Sequence, residues 1–559
     1  MKKNLLAASL ALALGSLSGA ASAALEVNTN GVGQINVLPY YSVQDSYNTL
    51  MTITNTDLEN GKAVKVRFRA AEWSDDALDF QIFLSPGDVW TGAFGMDNGN
   101  LVLRTSDKSC SLPAQLDGQQ FTTIRVEDRD VNRLKEGYVE ILTMADIPFH
   151  LNDDTSTVGA DGSAVTNIAA DGYSAAKSNN PLYKAIKHAS NGVPTCDVLG
   201  TSLVANNSFE SRPATPADPT TAVSGQWGWM VAPTSSLTSS ATVIAVQDSK
   251  AFTVAGTAIR GLASDFADAE YFRQANTTVQ FGGGVAVDDV TADRLFWPKG
   301  ATFATELGAG YPVYQFDMPD LSTPFDGSST PEEWRDDVAV LLQKASLATD
   351  YVVAASIGAS TDVVLSQPVR RYFYDYTLVT PADGQVKGEH YNRVINTERY
   401  LVGGQNETPY AELTPSNRVQ VGAPTFFDRE EQTFVSSDDI VASPQEPSVA
   451  AQFFLEGETS VVSIKNGAGT TGAVGARLTN VDWSFAQNYT AGWAVLSTVA
   501  QENGATAKTI ADGSTLDGHD GVLGNRLPVI GFTAINIFNS GAGANGTNYG
   551  QVLPLRVLQ

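Results

Sequence analysis

Lys62-Ala-Val-Lys-Val-Arg-Phe-Arg69, continuing as AAEWSDDALDFQIFLSPGDVWTG to Gly92, is the stretch that decides the fold class. Successive side chains of a strand point to opposite faces, so Val64, Val66 and Phe68 face one way and Lys65, Arg67 and Arg69 the other. This alternation predicts a strand with one buried and one solvated face. Leu78 to Leu84 (LDFQIFL) reads as a denser second strand. Ser85-Pro-Gly-Asp88 reads as a turn in which Pro86 and Gly87 supply the special dihedrals, and Trp90 opens a third strand. Upstream, LPYYSV and NTLMTITNTD supply two more strands, bounded by the Asn55-Thr-Asp57 turn. No crossover helix fits between these strands, so the pattern predicts an antiparallel sandwich.

The rest of the chain extends that reading to a mainly β protein of two or more antiparallel, Ig-like β-sandwich domains with a few short helices. At 559 residues it exceeds what one core usually organises. Met1 to Ala23 has the three-part form of a secretory signal, with Lys2-Lys3, the apolar run Leu5 to Leu17 and the Ala21-Ser22-Ala23 end, so the expectation is export with the mature chain starting at Ala24. Residues 24–255 are expected to form an N-terminal β-sandwich domain, closed by SATVIAVQDSKAFTV (Ser240 to Val254), and 256–559 a larger β-rich domain. Two polar stretches, Leu151 to Gly172 and Ser211 to Ser224, read as loops, and Thr257 to Ala275 has helix-compatible spacing. A clearer helix is expected near 331–346, with Thr330 as N-cap, Pro331 in the first turn, Glu333 completing a capping box, and Trp334, Val338, Leu341, Leu342 and Ala345 on one face. DYVVAASIG, TDVVLSQPVRRYFYDYTLV, VDWSFA, AGWAVLSTVA, LPVIGFTAINIFNS and YGQVLPLRVLQ have strand composition. No run beyond the leader approaches the roughly 20 apolar residues a transmembrane helix needs.

Lys and Arg number 35 against 61 Asp and Glu, a net charge of −26 that disfavours nucleic acid as a partner and leaves many carboxylates free for divalent cations. Cys110 and Cys196 are the only cysteines, and in an exported chain they read as one disulfide. The four histidines, His150, His188, His390 and His519, show no metal-ligand spacing, and no HExxH, GxSxG or phosphate-cradling loop occurs. Phe281 to Val287 (FGGGVAV) lacks a dinucleotide-loop context. No catalytic residue is therefore assigned and a non-enzymatic protein is expected.

The carboxylates are more suggestive. Calcium takes about 6–8 oxygen ligands, which closely spaced aspartates on loops supply. Asp128-Arg-Asp130-Val-Asn132 places three oxygen-bearing side chains in alternation, although Arg133 and Val139 stand where an EF-hand needs glycine and an acid. Asp153-Asp154 and Asp512, Asp517 and Asp520 in ADGSTLDGHDG are further candidates. Each of these also fits a solvated acidic turn. Tyr40-Tyr41, Trp227-Gly-Trp229 and Tyr372-Phe-Tyr374 could stack on sugars, yet alternate residues of a strand are by default in a core.

Taken together, LPYYSV, NTLMTITNTD, the Lys62 to Gly92 stretch, TDVVLSQPVRRYFYD, FDREEQ and LPVIGF resemble the surface-layer proteins of marine gammaproteobacteria, a family of exported Gram-negative cell-surface proteins. The resemblance implies a structural chain that assembles with copies of itself into a lattice on the cell surface. It also implies calcium in folding or assembly, and an outer-membrane component such as lipopolysaccharide as the anchoring partner. A secreted glycan-binding adhesin or a periplasmic binding module is the alternative.

Overall fold

A computed structural model describes residues 25–123, 126, 130–150, 178–199, 229–267, 269–271, 280–281, 285–286, 319–326, 329, 331–379, 392–398, 418–430, 433–434, 453–465, 472–477, 480–484, 489–500, 526–541 and 546–558. The protein is mainly β, with two α-helices among these residues.

The first half contains β1 (Glu26–Val27), β2 (Ile35–Ser42), β3 (Asn48–Asn55), β4 (Gly61–Ala70), β5 (Asp76–Leu84), β6 (Val89–Asp97), β7 (Asn100–Arg104), β8 (Cys110–Leu112), β9 (Glu136–Ile147), β10 (Leu237–Ala245), β11 (Lys250–Ala255) and β12 (Thr257–Arg260). They form a seven-stranded sheet, β1-β12-β2-β9-β4-β5-β8, facing a five-stranded sheet, β11-β10-β3-β6-β7. The expected hairpin is present: β4 pairs antiparallel with β5 from Lys62 opposite Leu84 to Arg69 opposite Asp76. The Ser85–Asp88 turn follows it, with Gly87 at φ 71°, and β6 runs back against β3. Between the two sheets lie Val64, Val66 and Phe68 with Phe80, Met51, Ile53, Trp90 and Phe94. The Phe68 ring centre is 4.5 Å from that of Phe94 and 5.2 Å from that of Phe121. Each such side chain withdrawn from water contributes about 1.5–3 kcal/mol, which makes this interior the main source of the sandwich's stability.

In the second half lie β13 (Gln280–Phe281), β14 (Val285–Ala286), β15 (Ser346–Val352), β16 (Ser360–Ser366), β17 (Tyr374–Val379), β18 (Asn392–Glu398), β19 (Arg418–Val421), β20 (Thr425–Asp428), β21 (Thr433–Phe434), β22 (Phe453–Glu456), β23 (Thr459–Lys465), β24 (Asn480–Ser484), β25 (Ala491–Ser497), β26 (Ile530–Asn539), β27 (Thr547–Pro554) and β28 (Arg556–Val557). Two five-stranded sheets, β21-β20-β25-β15-β28 and β24-β23-β16-β26-β27, make a second sandwich. Leu347, Tyr351 and Val353 pack there with Val363, Leu365, Val462 and Ile464. The pairing of β23 with β24 is parallel, which departs from the antiparallel rule of the other ladders.

Helices are few. Helix α1 (Pro181–Ile186) is capped by the Asn180 side chain, which accepts from the amides of Leu182 and Tyr183. Helix α2 (Pro331–Leu342) matches the expected one and buries Trp334, Val338 and Leu342, stopping short of Ala345. The Thr257 to Ala275 expectation is corrected: Thr257–Arg260 is strand β12, hydrogen-bonded to β1 and β2. Helical spacing lost to strand pairing in that short stretch. The strands of the first sandwich accordingly run to Arg260, past the expected boundary at 255. The Leu151–Gly172 and Ser211–Ser224 loops, Thr330 and the leader lie outside the described residues.

The two halves share their cores. Val364, Val461, Phe532 and Ala534 of the second sandwich join the interior that holds Leu38, Tyr40, Val43 and Tyr47. On the other side, Ile35, Val37, Tyr138 and Leu142 of the seven-stranded sheet pack with Leu321, Phe325 and Trp334.

Candidate functional site

The side of β4 expected to be wet is the largest departure from the sequence reading. Alternation holds, but Lys65, Arg67 and Arg69 are no more than 1 % exposed. The second half covers the Arg69 end of this face and the cluster around α1 covers the Ala63 end, and the cations survive burial because carboxylates stand opposite them. Lys65 Nζ lies 3.2 Å from Asp79 Oδ1, and Arg67 pairs with Asp76. Arg69 Nε is 3.3 Å from Glu140 Oε1, and its Nη2 is 4.0 Å from Asp320 Oδ2. Arg69 Nη2 also donates to the Tyr372 hydroxyl at 3.1 Å, which in turn donates to Glu140 Oε1 at 3.0 Å. Tyr138, beside Glu140 on β9, donates to the Pro368 carbonyl at 3.1 Å. Strands β4, β5 and β9 thus meet the 319–326 segment and the 3-10 turn Arg370–Phe373 in a dry polar seam.

Burial pushes the Glu140 carboxyl up to about 7, helped by the neighbouring charge of Asp320 and opposed by Arg69, Arg67 and the Tyr372 hydrogen bond. Burial likewise raises the Tyr138 and Tyr372 phenols well above their ordinary value, keeping them as neutral donors. A ligand carboxylate is not needed to account for the cations, since each has an acid from this chain beside it.

A second junction uses Glu136, fully buried, which accepts from Gln44 Nε2 at 2.7 Å, the Arg477 amide at 2.8 Å and the Tyr40 hydroxyl at 3.3 Å. Tyr47 donates to the Ala473 carbonyl at 2.6 Å, and Asp362 Oδ2 accepts the Val474 amide at 2.8 Å. The amides of Glu458 and Thr459 both donate to the Ala71 carbonyl. Gly137 allows the tightest approach: a Cβ there would sit 1.8 Å from the Arg69 carbonyl oxygen.

Cys110 and Cys196 are disulfide-bonded, with Cα atoms 5.6 Å apart, tying β8 to the segment after α1. Asp130 and Asn132 lie together at one turn. Asp130 Oδ1 caps the 3-10 turn Val131–Leu134, accepting the Asn132 amide at 2.9 Å and Asn132 Nδ2 at 2.8 Å, so one candidate ligand is a donor to the other. Asp128, Asp153, Asp154, Asp512, Asp517 and Asp520 lie outside the described residues, among which no three acidic, histidine or cysteine side chains gather around a common metal position. Of the aromatic candidates, Tyr40, Tyr41 and Tyr372 are core residues, and Trp229 packs against the apolar cluster around α1.

His188 deserves comparison with a nucleophile triad, because its Nδ1 lies 3.4 Å from Ser85 Oγ and 3.5 Å from Asp88 Oδ2. Both partners approach the same ring nitrogen, whereas a triad places serine and carboxylate on opposite nitrogens. The cluster can clamp the Ser85–Asp88 turn but cannot relay a proton from Ser85.

On the open side of the five-stranded sheet, a shallow hollow of about 420 Å³ is bordered by Leu50, Ala93, Met96, Asp97, Arg104 and Ile244. Leu50 and Val246 are 44 % and 70 % exposed. On the second sandwich, Phe427 and Trp493 stack across β20 and β25 with ring centres 4.2 Å apart and planes 9° apart. Trp493 stands opposite Asp350 on β15, whose carboxylate pairs with Arg556.

Reasoning from the sequence missed the seam. A signal existed in the acids at matching alternate positions: Asp79 faces Arg67 across the β4–β5 ladder and Glu140 faces it across β4–β9. A row of cations met by acids on both neighbouring strands is compatible with burial as well as with water. No family model, curated protein or solved structure matches the chain.

Proposed function

We propose that this chain is an exported structural protein that assembles with copies of itself into a layer on the outer surface of a Gram-negative cell, with calcium needed for assembly. The observation that carries the reading is the broad, partly apolar outer face of the five-stranded sheet, where Leu50 and Val246 stand in water around a hollow too open to enclose a small molecule. Buried polar groups at Arg69, Glu136 and Tyr372 join one layer to the next. Two sandwiches joined through shared cores suit a lattice subunit. The disulfide supports export, since such bonds persist in oxidising compartments.

The calcium requirement rests on the charge of −26, which repels neighbouring subunits unless cations bridge them. Purified chain is to be chelated, then given calcium, magnesium or sodium chloride alone, and scored for ordered sheets by electron microscopy. Sheets that return with calcium, and poorly with magnesium or salt, are expected. A dispersed monomer under every condition overturns the lattice, and sheets restored by salt alone overturn the calcium requirement.

The second reading, a secreted glycan-binding module, is favoured by the exposed Trp493 ring stacked on Phe427 beside Asp350. Glycan binding that disappears in Trp493→Ala, in a chain that stays monomeric, is the result that would select it.

A further inference from the structure

Glu140 and Asp320 come from opposite halves of the chain and converge on one guanidinium, that of Arg69. Glu140 is fully buried and Asp320 is 1 % exposed. The charged and titratable groups facing Glu140 are Arg67 and Arg69 from β4, Tyr138 from its own strand, Asp320 from the 319–326 segment and Tyr372 from the 3-10 turn, with Asp76 of β5 reaching it through the two arginines and Glu458 beyond Tyr138; Asp79, paired with Lys65, and the buried Arg370 and Arg371 are the other charges of these elements. The Asp320 carboxylate is oriented by its own turn, with Oδ1 accepting from the Ser322 amide at 2.9 Å and the Ser322 hydroxyl at 2.7 Å. Glu140 instead depends on groups that belong to the seam itself, Arg69 and Tyr372. Asp76 of β5 already lies 3.9 Å from the same guanidinium, so closing the second half over the sheet brings it a further carboxylate, in a place water does not reach.

We propose that Glu140 is a proton-operated latch, in which its neutral form lets the 319–326 segment and the Arg370–Phe373 turn seat on β4 and β9, and its ionised form loosens them. The neutral carboxyl can still accept from Arg69 while adding no like charge beside Asp320. Ionisation adds a third negative group around the Arg69 guanidinium, beside Asp76 at 3.9 Å and Asp320 at 4.0 Å, with Arg67 the other cation acting on Glu140, and opening relieves the excess of acid by admitting water.

The sign follows from linkage. Glu140 titrates at about 7 when buried, against an ordinary 4.5, so the closed seam binds the proton more tightly than the open one. Closure is favoured at low pH, weakens as pH rises between those two values, and is level above the upper one.

Hydrogen exchange of the full chain, corrected for the intrinsic pH dependence of amide exchange, reads the latch directly. Opening of the 319–326 segment and the 370–373 turn should increase, with a limiting slope of about tenfold per pH unit, between roughly pH 5 and 7 and then level off. Strands β3 and β6, inside the first sandwich, should not follow. Glu140→Gln should abolish the pH dependence and hold the seam closed at alkaline pH. Tyr372→Phe removes a donor to the ionised form, so its plateau should be reached at higher pH than in the parent chain. A flat parent profile overturns the latch, as does a slope that survives in Glu140→Gln. Should that variant fail to fold, the parent profile and an unshifted plateau in Tyr372→Phe suffice to reject it.

Discussion

The two sides of β4 are equally buried and are held by opposite means. Val64, Val66 and Phe68 meet apolar side chains of the facing sheet, whereas Lys65, Arg67 and Arg69 meet carboxylates beneath the second half. The apolar side gains by leaving water, so its worth depends on fit and not on pH. The ionic side recovers a desolvation cost only while each charge has its counterpart. One strand thus carries the stability of a sandwich on one face and the register between two sandwiches on the other.

Truncations on the two faces separate these accounts. Phe68→Ala should cost about 3–5 kcal/mol through lost transfer energy and a cavity. Arg69→Ala should cost a similar 3–5 kcal/mol at alkaline pH, because it strands buried carboxylates. The comparison sharpens on acidification: the Arg69→Ala loss should shrink as Glu140 takes up a proton, and the Phe68→Ala loss should not change. Denaturant unfolding of both variants at pH 8 and pH 6 checks this, and parallel pH profiles would show that the two faces do not differ in kind.

Breaking the disulfide comes next. Cys110→Ser with Cys196→Ser should cost about 2–5 kcal/mol, by freeing a closure of 86 residues in the unfolded chain. Gly137→Ala should lower stability by about 1–3 kcal/mol, because the added methyl meets the Arg69 backbone from which the seam is built. The smallest effect is expected at the rim, where Arg477 and Asp45 pair while both more than half or half exposed; Arg477→Ala should stay within about 1 kcal/mol, read from the same unfolding curves.

The sequence made one face of β4 plain and misled on the other. Strict alternation at Val64, Val66 and Phe68 is enough to place a core, and the Pro86-Gly87 turn and the capped pattern at Pro331 place a chain reversal, here from one sheet to the other, and a helix with local chemistry alone. Nothing local says that a basic row is covered, because the cover comes from Asp320 and Tyr372, some 250 to 300 residues away in the chain. The Cys110–Cys196 pairing was legible since two cysteines leave a single intrachain choice. Asp130 and Asn132 are ambiguous for the opposite reason: the oxygens that suit calcium also suit a turn's own amides, and Asp130 Oδ1 accepts the Asn132 amide here. At Thr257–Arg260, apolar spacing fits either a helix or a strand, and pairing with β1 and β2 decides.

Lysine acylation of the native full chain, followed residue by residue by mass spectrometry, tests the burial of the outer face of β4 most directly. Lys65 should stay unmodified while exposed Lys108 reacts, and denaturation should make both reactive. Labelling of Lys65 at the rate of Lys108 in the folded protein would contradict the account, returning that face to water and removing the seam between the two halves.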